Sequence, residues 1–202
     1  MSFISLRAAV AASLMLASGA ASAELHKFEY TGTVNYSSDP SVAVGTQFKG
    51  QFAYDDTLPN GDPMPGYGMY QTDSLISANV DGHAVDADHF TVRVRDNADD
   101  AFDIVEFYGE PVMIDSTVFP EGGLIIHLQT DAYVTNVVNG VGLPLSYDMS
   151  KWSQVRSYAQ IFTQHNDSHV FVQFSIDAIV ELPPPPCLKQ NGKDAKKICW
   201  SH

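Results

Sequence analysis

The chain has 202 residues, 45% of them hydrophobic, and a formal net charge of −13 from 24 Asp and Glu against 11 Lys and Arg. That length and apolar content suit one domain of ordinary size with a core of its own. An acidic surface repels phosphate backbones and anionic lipid, so nucleic acid and membrane surfaces are excluded as expected partners.

Residues 1–23 place Arg7 ahead of an apolar run from Ala8 to about Ala17 and end in Ala21-Ser22-Ala23, a small-x-small cleavage pattern. The run is shorter than the ~20 residues a membrane span requires. The segment therefore reads as a bacterial signal peptide, cleaved before Glu24. No comparably apolar stretch follows, so no transmembrane segment is expected after cleavage, and the protein is expected to be secreted or periplasmic.

From 24 to 181 the hydrophobic period is two. Phe28, Tyr30, Val34 and Tyr36 alternate with polar residues, as do Phe48, Phe52 and Tyr54. After a turn-rich stretch at 55–63, Phe90, Val92 and Val94 alternate with Thr91, Arg93 and Arg95, and Leu124, Ile126 and Leu128 follow the same rule. The last and longest run carries Val170, Val172, Phe174, Ile176, Ala178 and Val180. A period of two puts each set on one face of a strand. One-faced strands need a second layer to cover them, which predicts an all-β domain over 24–181: a single antiparallel β-sandwich, jelly-roll-like. Only residues 148–158 suggest helix, and at most one short one, capped by Asp148 or Ser150.

Two of these runs carry a resemblance. Phe28-x-Tyr30-Thr31-Gly32-Thr33-Val34 followed by Gly45-x-x-Phe48-x-Gly50-x-Phe52-x-Tyr54-Asp55 resembles the opening hairpin of secreted bacterial proteins that often carry a PEP-CTERM sorting signal. Val92-Arg-Val-Arg-Asp-Asn97 with Asp103, and Leu143-Pro144 with Asp148, resemble further segments of that group. The resemblance implies an exported β-sandwich and brings no catalytic residues. The group's Pro-Glu-Pro, apolar helix and basic cluster are absent here, so sorting by that system is not implied.

Several clusters could carry chemistry. Asp96, Asn97, Asp99, Asp100 and Asp103 offer oxygens on a turn, and calcium takes six to eight of them. Their spacing is not that of an EF-hand loop, and an acidic hairpin turn explains the same residues. Asp55, Asp56 and Asp62 form a second, less specific set. His165 and His169 stand four apart, with turn-like Asn166-Asp167-Ser168 between them. Tyr67, Tyr70, Phe102, Phe107, Tyr108, Trp152 and Tyr158 could supply a stacking platform for sugars or belong to the core and its rim. Gly-x-Ser-x-Gly, a phosphate loop and a dinucleotide fingerprint are all missing.

The C-terminus has its own character. Prolines 183–186 predict an extended linker over 182–186 of ~3.1 Å per residue. Beyond it, 187–202 contains Lys189, Lys193, Lys196 and Lys197 between the chain's two cysteines. In an oxidising compartment Cys187 and Cys199 are expected to form a disulfide that closes this basic tail, with pairing between chains as the alternative. The expected function is that of a non-catalytic surface, envelope or matrix module with a binding or structural role, for which a glycan or a protein is the partner suggested and none is identified. The alternatives are a carboxylate-dependent, glycan-active hydrolase and a calcium-stabilised structural protein; calcium is the one cofactor suggested.

Overall fold

The computed structural model describes residues 24–62, 64–98, 101–165 and 168–184, with the backbone alone at 98, 164, 165, 168 and 169. Twelve strands form among them, and all belong to one antiparallel sheet. The first half of the chain supplies β1 (Leu25–Ser37), β2 (Gln47–Asp55), β3 (Tyr67–Thr72), β4 (Ile76–Val80), β5 (His83–Ala87) and β6 (Phe90–Ala98). The second half supplies β7 (Phe102–Gly109), β8 (Val112–Ile114), β9 (Thr117–Phe119), β10 (Gly123–Gln129), β11 (Tyr158–His165) and β12 (Ser168–Glu181). A single 3-10 turn, Met149–Lys151, is capped by Asp148, which accepts from the backbone N–H and hydroxyl of Ser150.

In space the strands run β3-β6-β7-β10-β11-β12-β1-β2-β4-β5-β8-β9. Two layers of core are therefore made by one sheet that curls into a half-barrel, where the sequence suggested two sheets. So many twisted strands do not stay flat. The two arms meet across the curl: β5 touches β10, β9 touches β11, and Phe52 of β2 lies 4.3 Å in ring-centroid distance from Phe107 of β7. Inside the curl are Phe28, Tyr30, Phe48, Phe52, Leu124, Ile126 and Phe174, all buried.

The central pair β1–β12 shows where the simple alternation fails. Its register shifts between Thr31 and Gly32, and again between Val34 and Tyr36. A bulge adds one residue to a strand and exchanges the faces beyond it. Tyr36, expected in the core with Val34, is instead exposed and packs on Phe171. Ile179 takes the buried place expected of Ala178 and Val180, and Val180 points to solvent. Gly32 sits at the first shift, where a Cβ would come within 1.9 Å of the Ser175 carbonyl oxygen. At Gly50 a Cβ would meet the Tyr30 ring at 2.3 Å, so these two glycines let neighbouring strands and rings close up.

One end of the half-barrel is plugged. The 130–157 connection crosses it and buries Val138, Tyr147 and Trp152 against the aromatic core. Tyr147 meets the Phe28 ring edge-on at 5.2 Å, and its hydroxyl lies 2.8 Å from that of Tyr54. The Tyr54 hydroxyl also donates to the Pro144 carbonyl, and that of Tyr70 to the Val141 carbonyl at 2.6 Å. No helix among the described residues is long and apolar enough to cross a membrane.

Candidate functional site

The opposite end is open among the described residues. There the 38–46 connection, the β4–β5 and β8–β9 hairpins and residues 161–163 of β11 and 170–172 of β12 surround a cavity of ≈ 600 Å³. Strand alternation gives it an apolar floor, because Val80, Val85, Ile161 and Val172 are buried inward positions that line it. Val42, Ile114, Phe119 and Val170, partly buried, form the walls, and Thr163 is buried among them.

Polar groups gather at the rim. His83 begins β5, and Asp115 holds the left-handed conformation (φ 47°) that the tight β8–β9 turn requires. The two side chains meet at 2.6 Å between Nδ1 and Oδ2, while the other carboxylate oxygen accepts from the Ala84 backbone N–H at 2.9 Å. The Asp115 carboxylate pushes the His83 imidazole above its usual range, with smaller contributions from Asp81 and Asp39. The hydrogen bond from His83 in turn holds Asp115 below the usual carboxylate range. Asp39 also stays low, because its carboxylate accepts from the Ser41 hydroxyl at 2.6 Å and backbone N–H at 2.8 Å.

Comparison with protein-family models, curated proteins and solved structures found no match for this chain. The site is therefore read from its own chemistry: an apolar chamber of ordinary ligand-pocket size with few, well-placed polar groups at one end.

The residues singled out in the sequence fall elsewhere. Asp103 is fully buried and accepts from the backbone N–H groups of Asn97, Val137 and Val138 at 3.1, 2.8 and 2.9 Å. Asp96 accepts from Gly140 N–H at 2.9 Å and from the Asn97 side chain at 2.6 Å. Both carboxylates thus tie the 137–140 loop to the β6–β7 hairpin, and Asn97 takes the left-handed position (φ 57°) there. Asp99 and Asp100 lie outside the described residues, as do Cys187 and Cys199. Among the described residues no three His, Cys, Asp or Glu side chains converge as a metal set.

Asp55 accepts from the Thr57 hydroxyl and N–H, and Asp62 from Met64 N–H, so both organise their own turn. Asp56 approaches His26 at 3.9 Å, and His26 Nδ1 meets Glu181 at 2.8 Å. The backbones of His165 and His169 lie on facing strands of the β11–β12 hairpin, and their side chains are outside the description. Of the aromatic residues, Tyr70, Phe107 and Trp152 are core. Tyr67, Tyr108 and Phe102 each stand under a guanidinium, of Arg95, Arg93 and Arg156, while Tyr158 stacks on His127 at 5.1 Å. Those ring faces already have partners within the chain. Glu106, between Arg93 at 2.9 Å and His127 at 3.2 Å, is held below the usual carboxylate range, chiefly by His127.

The cavity itself had no sequence signal. His83 and Asp115 are 32 residues apart in the chain, and the wall valines look like any other core positions.

Proposed function

We propose that this protein is an exported, non-catalytic binding module that takes the apolar part of a small amphipathic molecule into the open end of its half-barrel. The cavity carries the reading: ≈ 600 Å³ walled by valine, isoleucine and phenylalanine, with its carboxylates and imidazole at the rim. An apolar chamber of that size, reached from one side, favours a ligand whose tail enters first and whose polar end stays at the opening. Export rests on the apolar run and cleavage pattern of residues 1–23. The jelly-roll-like sandwich is the finer form of this architecture we propose, with the two arms of the curled sheet as its layers.

Calorimetric titration with straight-chain alcohols tests the reading. Affinity should rise about fourfold for each added methylene, from roughly 0.8 kcal/mol per buried CH₂, until the chamber is full. Val42→Trp, which narrows the chamber from its wall, should weaken binding and lower the chain length at which affinity stops rising, while the protein stays folded. Absence of binding, or affinity independent of chain length, would overturn the proposal.

A further inference from the structure

We infer that the ligand of this cavity carries a positively charged head, an alkylammonium or a quaternary ammonium on an apolar chain. This rests on the proposed cavity reading and adds the charge of the ligand to it. The rim presents Asp39 and Asp115 directly, and Asp81 stands in the adjoining β4–β5 turn. Among the described side chains one imidazole, His83, stands against these three carboxylates, and the four groups together sum to −2 or −3 depending on its protonation.

Residues 24–181 hold six Lys and Arg (27, 49, 93, 95, 151 and 156), and none of them lines the chamber. An anionic head seated here would meet the like charge of these carboxylates, with His83 as its one cationic partner among the described side chains. An ammonium meets fixed carboxylates whose geometry is already set: Asp115 is held by His83 and by the Ala84 N–H, Asp39 by Ser41. Each keeps lone pairs free toward a cation, since a carboxylate accepts about four hydrogen bonds.

Three probes with one tail separate the alternatives: decyltrimethylammonium, decanol and decanoate, titrated into the full mature chain below their micellar concentrations. The cation should bind about tenfold tighter than the alcohol, roughly what a few carboxylates at a solvated rim supply, and decanoate should bind most weakly. Asp39→Asn combined with Asp81→Asn should narrow the gap between cation and alcohol several-fold, because it removes charge that the cation meets and the alcohol does not. Equal affinity for all three, or preference for decanoate, overturns the charged-head inference and leaves the cavity reading standing. No binding of any probe overturns both.

Discussion

At the scale of the residue, the site turns on the His83–Asp115 contact. His83 has its pKa raised by Asp115, so the stability from this contact is fully present below the unfolded histidine value of about 6.5 and is lost as pH rises through the raised folded value. Asp115 is shifted down, so its share is present above the unfolded aspartate value of about 3.9 and is lost as pH falls through the lowered one. The pair is therefore charged on both sides only between those two folded values. The groups facing His83 are Asp115 from the β8–β9 turn, Asp81 from the β4–β5 turn and Asp39 from the β1–β2 connection. An NMR titration should find His83 above 6.5, and Asp115→Asn should bring most of that displacement back; an unchanged midpoint in the variant would show that the contact does not set it. None of this was legible beforehand, because nothing local marks His83 as the partner of a residue 32 positions later.

At the scale of the element, the loop that plugs the closed end hangs on one side chain. Asp103 alone accepts from three backbone N–H groups of two separate segments while fully buried. A buried donor left without an acceptor costs roughly 1–3 kcal/mol, so Asp103→Ala should destabilise the protein by about 3 kcal/mol or more in urea unfolding. Asp103→Asn retains one carbonyl oxygen and should cost clearly less; equal losses would mean the acceptor geometry is not what matters. The aromatic stack beneath the loop gives a second measure. Phe107 is fully buried against Phe52, and Phe107→Ala should cost about 3–5 kcal/mol. The sequence marked Asp103 as unusual because acids crowd around it, yet the same crowding fits a turn, a metal site or a loop clamp. Only the placement of Val137 and Val138, more than thirty residues on, shows the clamp.

At the scale of the whole molecule, charge and curvature act together. From 24 to 181 there are 23 acids against 6 Lys and Arg, a difference of −17, and the open end of the barrel shares that sign. Binding of a cationic amphiphile should therefore weaken as salt rises from about 0.01 M to about 1 M, where the Debye length shrinks from roughly 30 Å to 3 Å, while an alcohol of equal length should not weaken. Matching salt curves for the two would remove the electrostatic contribution. The sequence by itself determined that the body is all-β, which residues of most strands face inward, and that its surface is acidic. These are properties of neighbours along the chain, set by the two-residue repeat of a strand and by composition. Tertiary structure alone decided that one sheet curls to make both layers, that bulges at Gly32 and beyond Val34 exchange faces late in β1 and β12, and that one end is plugged while the other is a chamber. Curl, closure and cavity depend on strand order and on contacts between residues far apart, and the alternation of side chains along a single strand is the same whichever neighbour that strand finds.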